Sequence, residues 1–258
     1  MLACHLYTMP FLSIDDIYDK LKSISDKPYV YINQSVIING KQESLYASFY
    51  NIRKISEVIF GCFGYQYIDK EYNVENKRYE TKKRNASIEF AIFNYNDKTY
   101  LCIFSGALKI KTLIEELERK LFGSYQGRIN IVYLSRNQLR DIVDKIPHQT
   151  YGTAFDGLRD INGWTKLHVF GSNVESPQEY EEFSSRALEP DKDYMYSDFR
   201  YKSSRGKTYK FRIIRKNPKS SSLGDTLTVI CYNLFNEERD KLFLINYIKE
   251  NILASLHK

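Results

Sequence analysis

The chain has 258 residues, with 38 Lys plus Arg against 32 Asp plus Glu, a formal net charge of +6 and a sequence pI near 8.9. Hydrophobic residues make up 43% and aromatics 15%, with only 12 Gly and 6 Pro. That composition excludes a disordered or collagen-like chain and leaves a globular protein large enough for a real core. No run of 18 apolar residues occurs, the start lacks the basic and apolar regions of a signal peptide, and Cys4, Cys62, Cys102 and Cys231 form no CxxC pair. A cytoplasmic protein without a disulfide framework, zinc knuckle or membrane segment is therefore expected.

In chain order, Ser13 followed by Asp16 opens a run with Ile14, Ile17, Leu21 and Ile24 at helical spacing, which predicts a first helix. The β-branched and aromatic stretch YVYINQSVII, residues 29–38, predicts a strand or bent pair ending at Asn39-Gly40. Between 45 and 60, Leu45, Phe49, Ile52, Ile55, Ile59 and Phe60 fall on one helical face, with Gly61 as its stop, so a second helix is expected there. Residues 65–85 are polar without clear period and read as a loop or irregular ribbon. IEFAIFNY and TYLCIFS, either side of Asn96-Asp97-Lys98, predict a hairpin of two buried strands. A third helix follows with Leu113, Ile114, Leu117 and Leu121 inward, Glu115–Arg119 and Glu116–Lys120 pairs outward, and Gly123 as its end.

INIVYL at 129–134 reads as a buried strand, and Ser135 with Gln138 as a capping box before LRDIVDKI. Past Pro147 four glycines, Gly152, Gly157, Gly163 and Gly171, surround the single Trp164, and a domain boundary is drawn there. Residues 1–147 form an α/β part and 148–258 a smaller α+β part, or the two make one domain. KLHVF at 166–170 is a strand, an acidic helix follows Pro177, then come a basic ribbon from Asp198 to Lys216, the strand TLTVICY and a final helix from about Asn236. The fold class expected is α/β or α+β, a mixed sheet with β-hairpins flanked by five to six helices.

The charge is unevenly distributed. Between Asp198 and Lys219 nine basic residues face one carboxylate, which leaves the remainder of the chain at −2. A smaller excess lies at 77–84, with Lys77, Arg78, Lys82, Lys83 and Arg84 against Glu80. In DFRYKSSRGKTYKFRII, Phe199, Tyr201, Tyr209, Phe211 and Ile213 share one face of a hairpin closed by Ser203 to Gly206. Arg200, Lys202, Lys210 and Arg212 share the other, because side chains alternate across a strand. Opposed like charges are unfavourable unless neutralised, and phosphates of a polyanion would neutralise them while releasing counterions. The expected nucleic-acid-binding residues are Arg200, Tyr201, Lys202, Arg205, Lys207, Tyr209, Lys210, Arg212 and Arg215, with Lys82, Lys83 and Arg84 from the second segment. Tyr201 and Tyr209 are the candidates for base stacking. The competing explanation is an edge hairpin whose lysines discourage pairing and whose aromatics are core, its cations satisfied by the acidic helix.

Catalytic patterns are sparse. Glu75-Asn76-Lys77 and Glu80-Thr81-Lys82 match the Glu-x-Lys of metal-dependent nucleases, with Asp69 as a leading acid, but the tripeptide arises easily in a Lys/Glu-rich chain. Asp156, Asp160 and Asn162 crowd a Gly-rich stretch without calcium-loop spacing and read as turn residues. His5, His148, His168 and His257 stand far apart, and no GxSxG, HExxH, Walker-type or GxGxxG pattern occurs. The sequence thus points to a non-catalytic DNA- or RNA-binding protein that needs no cofactor. The alternatives are an adaptor or subunit of a protein complex and a divergent metal-dependent nuclease using Glu75 or Glu80.

Overall fold

The structure is a computed structural model that describes residues 1–38, 41–104, 110–135, 138–139, 141–142, 148–161, 164–170, 194–203, 206–214 and 226–256, with 32–35, 148–161, 164–170 and 194–197 described by their backbone alone. The chain divides into two compact units, one of residues 9–129 and one of residues 1–8 with 130–258.

In the unit of residues 9–129, five strands form an antiparallel meander: β2 (Tyr29–Ile38), β3 (Lys41–Ile55), β4 (Val58–Asn73), β5 (Arg78–Tyr95) and β6 (Lys98–Ile103). Helices α1 (Ile14–Ile24) and α2 (Ile110–Phe122) bury Ile14, Ile17 and Leu21, and Leu113, Leu117 and Leu121, respectively. The core runs through Phe49, Phe63 and Phe90, neighbours on adjacent strands whose ring centroids lie 5.0 and 6.1 Å apart. The first helix starts where the sequence places it, although the Ser13 side chain makes no capping bond. The third expected helix is α2, ended by Gly123 at φ 82, whose N–H returns to the Arg119 carbonyl.

The unit built around residues 130–258 is also antiparallel. Its strand order is β1 (Leu2–Pro10, through Thr8), β12 (Thr228–Cys231), β11 (Thr208–Ile214), β10 (Tyr194–Lys202), β8 (His148–Ile161) and β9 (Trp164–Phe170), with β7 (Asn130–Ile131) pairing β1. A C-terminal helix, α3, runs Glu238–Tyr247, becomes π-helical over Ile248–Leu253 and closes at Ala254–Leu256. The capping box forms as read: Gln138 Oε1 accepts the Ser135 N–H at 2.9 Å and Ser135 Oγ accepts the Gln138 N–H at 3.2 Å.

The expected class, a mixed sheet flanked by five to six helices, is overturned: the described residues are mostly antiparallel β, together with helices α1, α2 and α3. The helix expected at 45–60 is instead β3, a turn and the start of β4. Leu45, Ala47 and Phe49 alternate inward. A bulge between Tyr50 and Arg53, with Asn51 at φ 54, then shifts the phase so that Ile52 is buried, and Ser56 at φ 52 makes the turn. Two strand runs offset by a bulge imitate a helical period. Gly61, expected as a helix stop, sits inside β4, where a Cβ would meet Ile52 Cδ1 and Phe90 Cζ at 2.6 Å each. The stretch 65–85, expected as a loop or irregular ribbon, is a regular two-stranded ribbon, and 155–161, expected as a turn-rich connection, belongs to β8. Glu116, expected outside α2, is buried, and its ion-pair neighbour is Arg119 rather than Lys120. The acidic helix expected after Pro177 lies outside the described residues, as do Asn162, Arg205, Arg215 and His257.

Candidate nucleic-acid interface

The basic ribbon folds as the hairpin β10–β11. The turn is closed by Ser203 N–H to the Lys207 carbonyl at 2.9 Å and Gly206 N–H to the Ser203 carbonyl at 2.8 Å, with Gly206 at φ 77. The register pairs Phe199 with Phe211, Tyr201 with Tyr209, Arg200 with Lys210 and Asp198 with Arg212. It is not an edge hairpin: β8 pairs β10 on one side and β12 pairs β11 on the other.

One face packs on α3. Phe199 and Phe211 are fully buried and Tyr209 is 8% exposed. Tyr247 stacks on Phe211 at 4.1 Å and meets Tyr201 edge-on at 5.2 Å, while Phe243 stacks on Tyr209 at 4.3 Å. The two tyrosines considered for base stacking therefore line the core side of the hairpin. Burial pushes the Tyr247 phenol well above its ordinary range, and its hydroxyl has no hydrogen-bond partner among the described residues.

The opposite face carries the cations. Arg200, Lys202 and Lys210 are exposed there, and Lys207 is exposed at the turn with its Nζ 5.0 Å from the Tyr209 ring. Arg200 and Lys210 stand directly opposed across the strands. Among the described residues, no carboxylate lies within ion-pair distance of Lys202, Lys207 or Lys210. Arg212 differs: Asp198, 1% exposed, accepts from its Nε and one terminal nitrogen at 2.6 Å each, a bidentate pair that neutralises it. Beside it Tyr232, which follows β12, presents its ring 5.9 Å from the Arg212 guanidinium and is exposed. Sequence reasoning missed both Asp198 and Tyr232. Alternation along the first arm already puts Asp198 on the face of Arg200, the observed register with Ser203 bonded to Lys207 sets it opposite Arg212, and alternation along TVICY carries Tyr232 to the face of Ile230.

The second basic segment is arranged differently. Lys82 pairs with Glu71 at 2.9 Å, Lys83 with Glu43 at 2.6 Å, and Arg84 with both Glu71 and Asp69. All are strand neighbours or sit one strand away, so these three cations are matched by the protein itself. The nuclease candidates are scattered along the same ribbon. Glu75 is exposed in the turn, Asp69 faces Arg84, and Glu80 accepts from the Asn73 and Asn76 amides, which hold its carboxyl below the usual range. Among the described residues, no group of three His, Cys, Asp or Glu side chains could hold a metal ion. His5 Nδ1 lies 3.0 Å from Thr228 Oγ1, a contact between strands. No helix among the described residues is long and apolar enough to cross a membrane. Compared with known proteins, the chain matches no family model and no curated protein.

Proposed function

We propose that the protein binds nucleic acid without catalysis, holding phosphates on the outer face of the β10–β11 hairpin with Arg200, Lys202, Lys207 and Lys210. The observation that carries this reading is the exposure of Lys202, Lys207 and Lys210, which no described carboxylate neutralises, on the face where Arg200 stands opposite Lys210. Opposed cations on neighbouring strands cost stability by themselves, and a phosphate backbone offsets that cost while releasing its condensed counterions. Phosphate contacts position a ligand and carry little sequence information, so sequence-tolerant binding is expected. Tyr232 replaces Tyr201 and Tyr209 as the aromatic at this face, because its ring is exposed. Lys82, Lys83 and Arg84 drop out of the interface, their charge being matched by Asp69, Glu71 and Glu43.

The test is gel retardation of DNA and RNA at low salt by two charge-reversed variants. Reversing Arg200, Lys202 and Lys210 together should abolish the shift. Reversing Lys82, Lys83 and Arg84 should leave a folded protein's binding largely intact. Undiminished retardation by a folded first variant overturns the assignment.

A second reading, a subunit of a protein complex, rests on the far end of the β4–β5 ribbon. There Tyr72 and Tyr79, a cross-strand pair with ring centroids 5.3 Å apart, and Val74 in the turn are 52%, 71% and 76% exposed. An apolar tip of this kind suits a protein contact better than a phosphate backbone. Purification from the native host after nuclease treatment separates the two. A stoichiometric protein partner lost on Tyr79→Lys supports the second reading.

A further inference from the structure

A cleft of about 740 Å³ opens in the unit of residues 9–129 between β2 and the end of α2, lined by Tyr29, Glu116, Arg119, Lys120, Ser124 and Tyr125 among others. Its charges are incompletely matched. Glu116 is the one carboxylate in the lining, and it already accepts from the Tyr29 hydroxyl at 2.9 Å. Burial and that carboxylate push the Tyr29 phenol well above its ordinary range, so it remains a donor. Arg119 Nε lies 3.7 Å from Glu116 Oε1, beyond hydrogen-bond reach, and is a buried donor without a hydrogen-bond partner among the described residues. Lys120 Nζ sits over the Tyr29 ring at 4.1 Å instead of on a carboxylate.

Two of the last carbonyls of α2 are served by other donors, since the Gly123 N–H takes the Arg119 carbonyl at 2.9 Å and Lys20 Nζ takes the Leu121 carbonyl at 3.1 Å. Two cations therefore converge on one cleft whose single carboxylate is engaged by a phenol, and a buried guanidinium donor left unpaired there is costly. Tyr125 and Ser124, on the far wall, add an exposed ring and a hydroxyl.

We propose that this cleft binds a small oxyanion, phosphate or carboxylate, held by Arg119 and Lys120 with its attached body against Tyr125. The site belongs to a different unit from the β10–β11 face and is independent of the nucleic-acid reading. The probes are adenosine monophosphate, inorganic phosphate, benzoate and uncharged adenosine, titrated calorimetrically and by NMR into the full chain. Saturable binding of at least one anion but not of adenosine is expected, and the Arg119 Nε–H resonance should move with it. Phosphate binding without benzoate identifies a phosphate ligand, and the reverse a carboxylate. Arg119→Ala should weaken binding about tenfold, as loss of a charge-assisted fork does, whereas Lys111→Ala on the exposed side of α2 should not. Absence of saturable anion binding, adenosine binding as tightly as its monophosphate, or wild-type affinity in Arg119→Ala overturns the proposal. If that variant fails to fold, the wild-type Nε–H resonance decides: a resonance unmoved at saturation places the anion elsewhere.

Discussion

Tyr247 shows how a single side chain in the core can be placed at a cost. Its ring stacks on Phe211 and Phe199 and meets Tyr201, filling the space under the hairpin, but its hydroxyl is buried with no partner among the described residues. The ring stabilises and the oxygen does not. Tyr247→Phe should therefore raise stability, by about 1 kcal/mol if the whole desolvation cost is recovered, read as a higher midpoint in urea; a lower midpoint would show that the hydroxyl has found a partner. The Asp198–Arg212 pair makes the opposite case. Arg212 retains 25% of its side-chain exposure and Asp198 only 2%, so the two deletions are unequal. Arg212→Ala strands a buried carboxylate and should cost about 3 kcal/mol, whereas Asp198→Ala leaves a guanidinium that can turn to water and should cost less than half of that. Equal losses in denaturant titrations would contradict the burial asymmetry. Although the turn expected at 203–206 would have set Asp198 opposite Phe211, that it shares a face with the cations of the hairpin was legible in advance from alternation. The burial that makes the pair matter was not, since it depends on strands far away in sequence.

At the scale of elements, the strands rich in β-branched and aromatic residues were readable, whereas β1, which carries a similar alternation, was not read. β2, the Ile88–Tyr95 part of β5 with β6, β9, β10 with β11, and β12 lie where their residue patterns place them, as do α1, α2 and α3. The failure at 45–60 has a local cause. A bulge inserts one residue into a period of two, and the result mimics a period near 3.6. The ribbon at 66–85 was missed for a different reason. It has little core to face, so its strands carry charged and polar residues whose cross-strand pairing, Lys82 to Glu71 among them, replaces hydrophobic alternation as the signal. Its outer part, Gln66–Asn73 against Arg78–Asn85, continues beyond the last β3 pairing at Ala47 and the last β6 pairing at Phe90. Two strands alone are marginal in water. Amide exchange there should consequently be fastest within the β4–β5 pair, and slower by orders of magnitude at Ile59–Phe63 and Ile88–Ile92. Uniform protection along both strands would mean that the ribbon is covered by something else.

Across the whole molecule, the two basic segments look alike in sequence and differ in structure. The segment at 82–84 is answered by acids on neighbouring strands, and the face of β10–β11 presents lysines that no described carboxylate answers. Counting charges locates an excess, but only the pairing of strands says whether it has already been neutralised. The aromatics sort by face as well: Tyr201 and Tyr209, opposite the cations, pack toward α3, and Tyr232, distant in sequence, reaches Arg212 from the end of β12. The most direct measurement is the salt dependence of nucleic-acid affinity, followed by fluorescence anisotropy for the parent and for Lys202→Ala with Lys210→Ala. Each phosphate contact contributes about 0.9 to the logarithmic slope on duplex and about 0.7 on single strands. Removing both lysines should flatten the slope by roughly 1.4 to 1.8, with folding unchanged. A slope in the double variant equal to the parent's would contradict binding at this face.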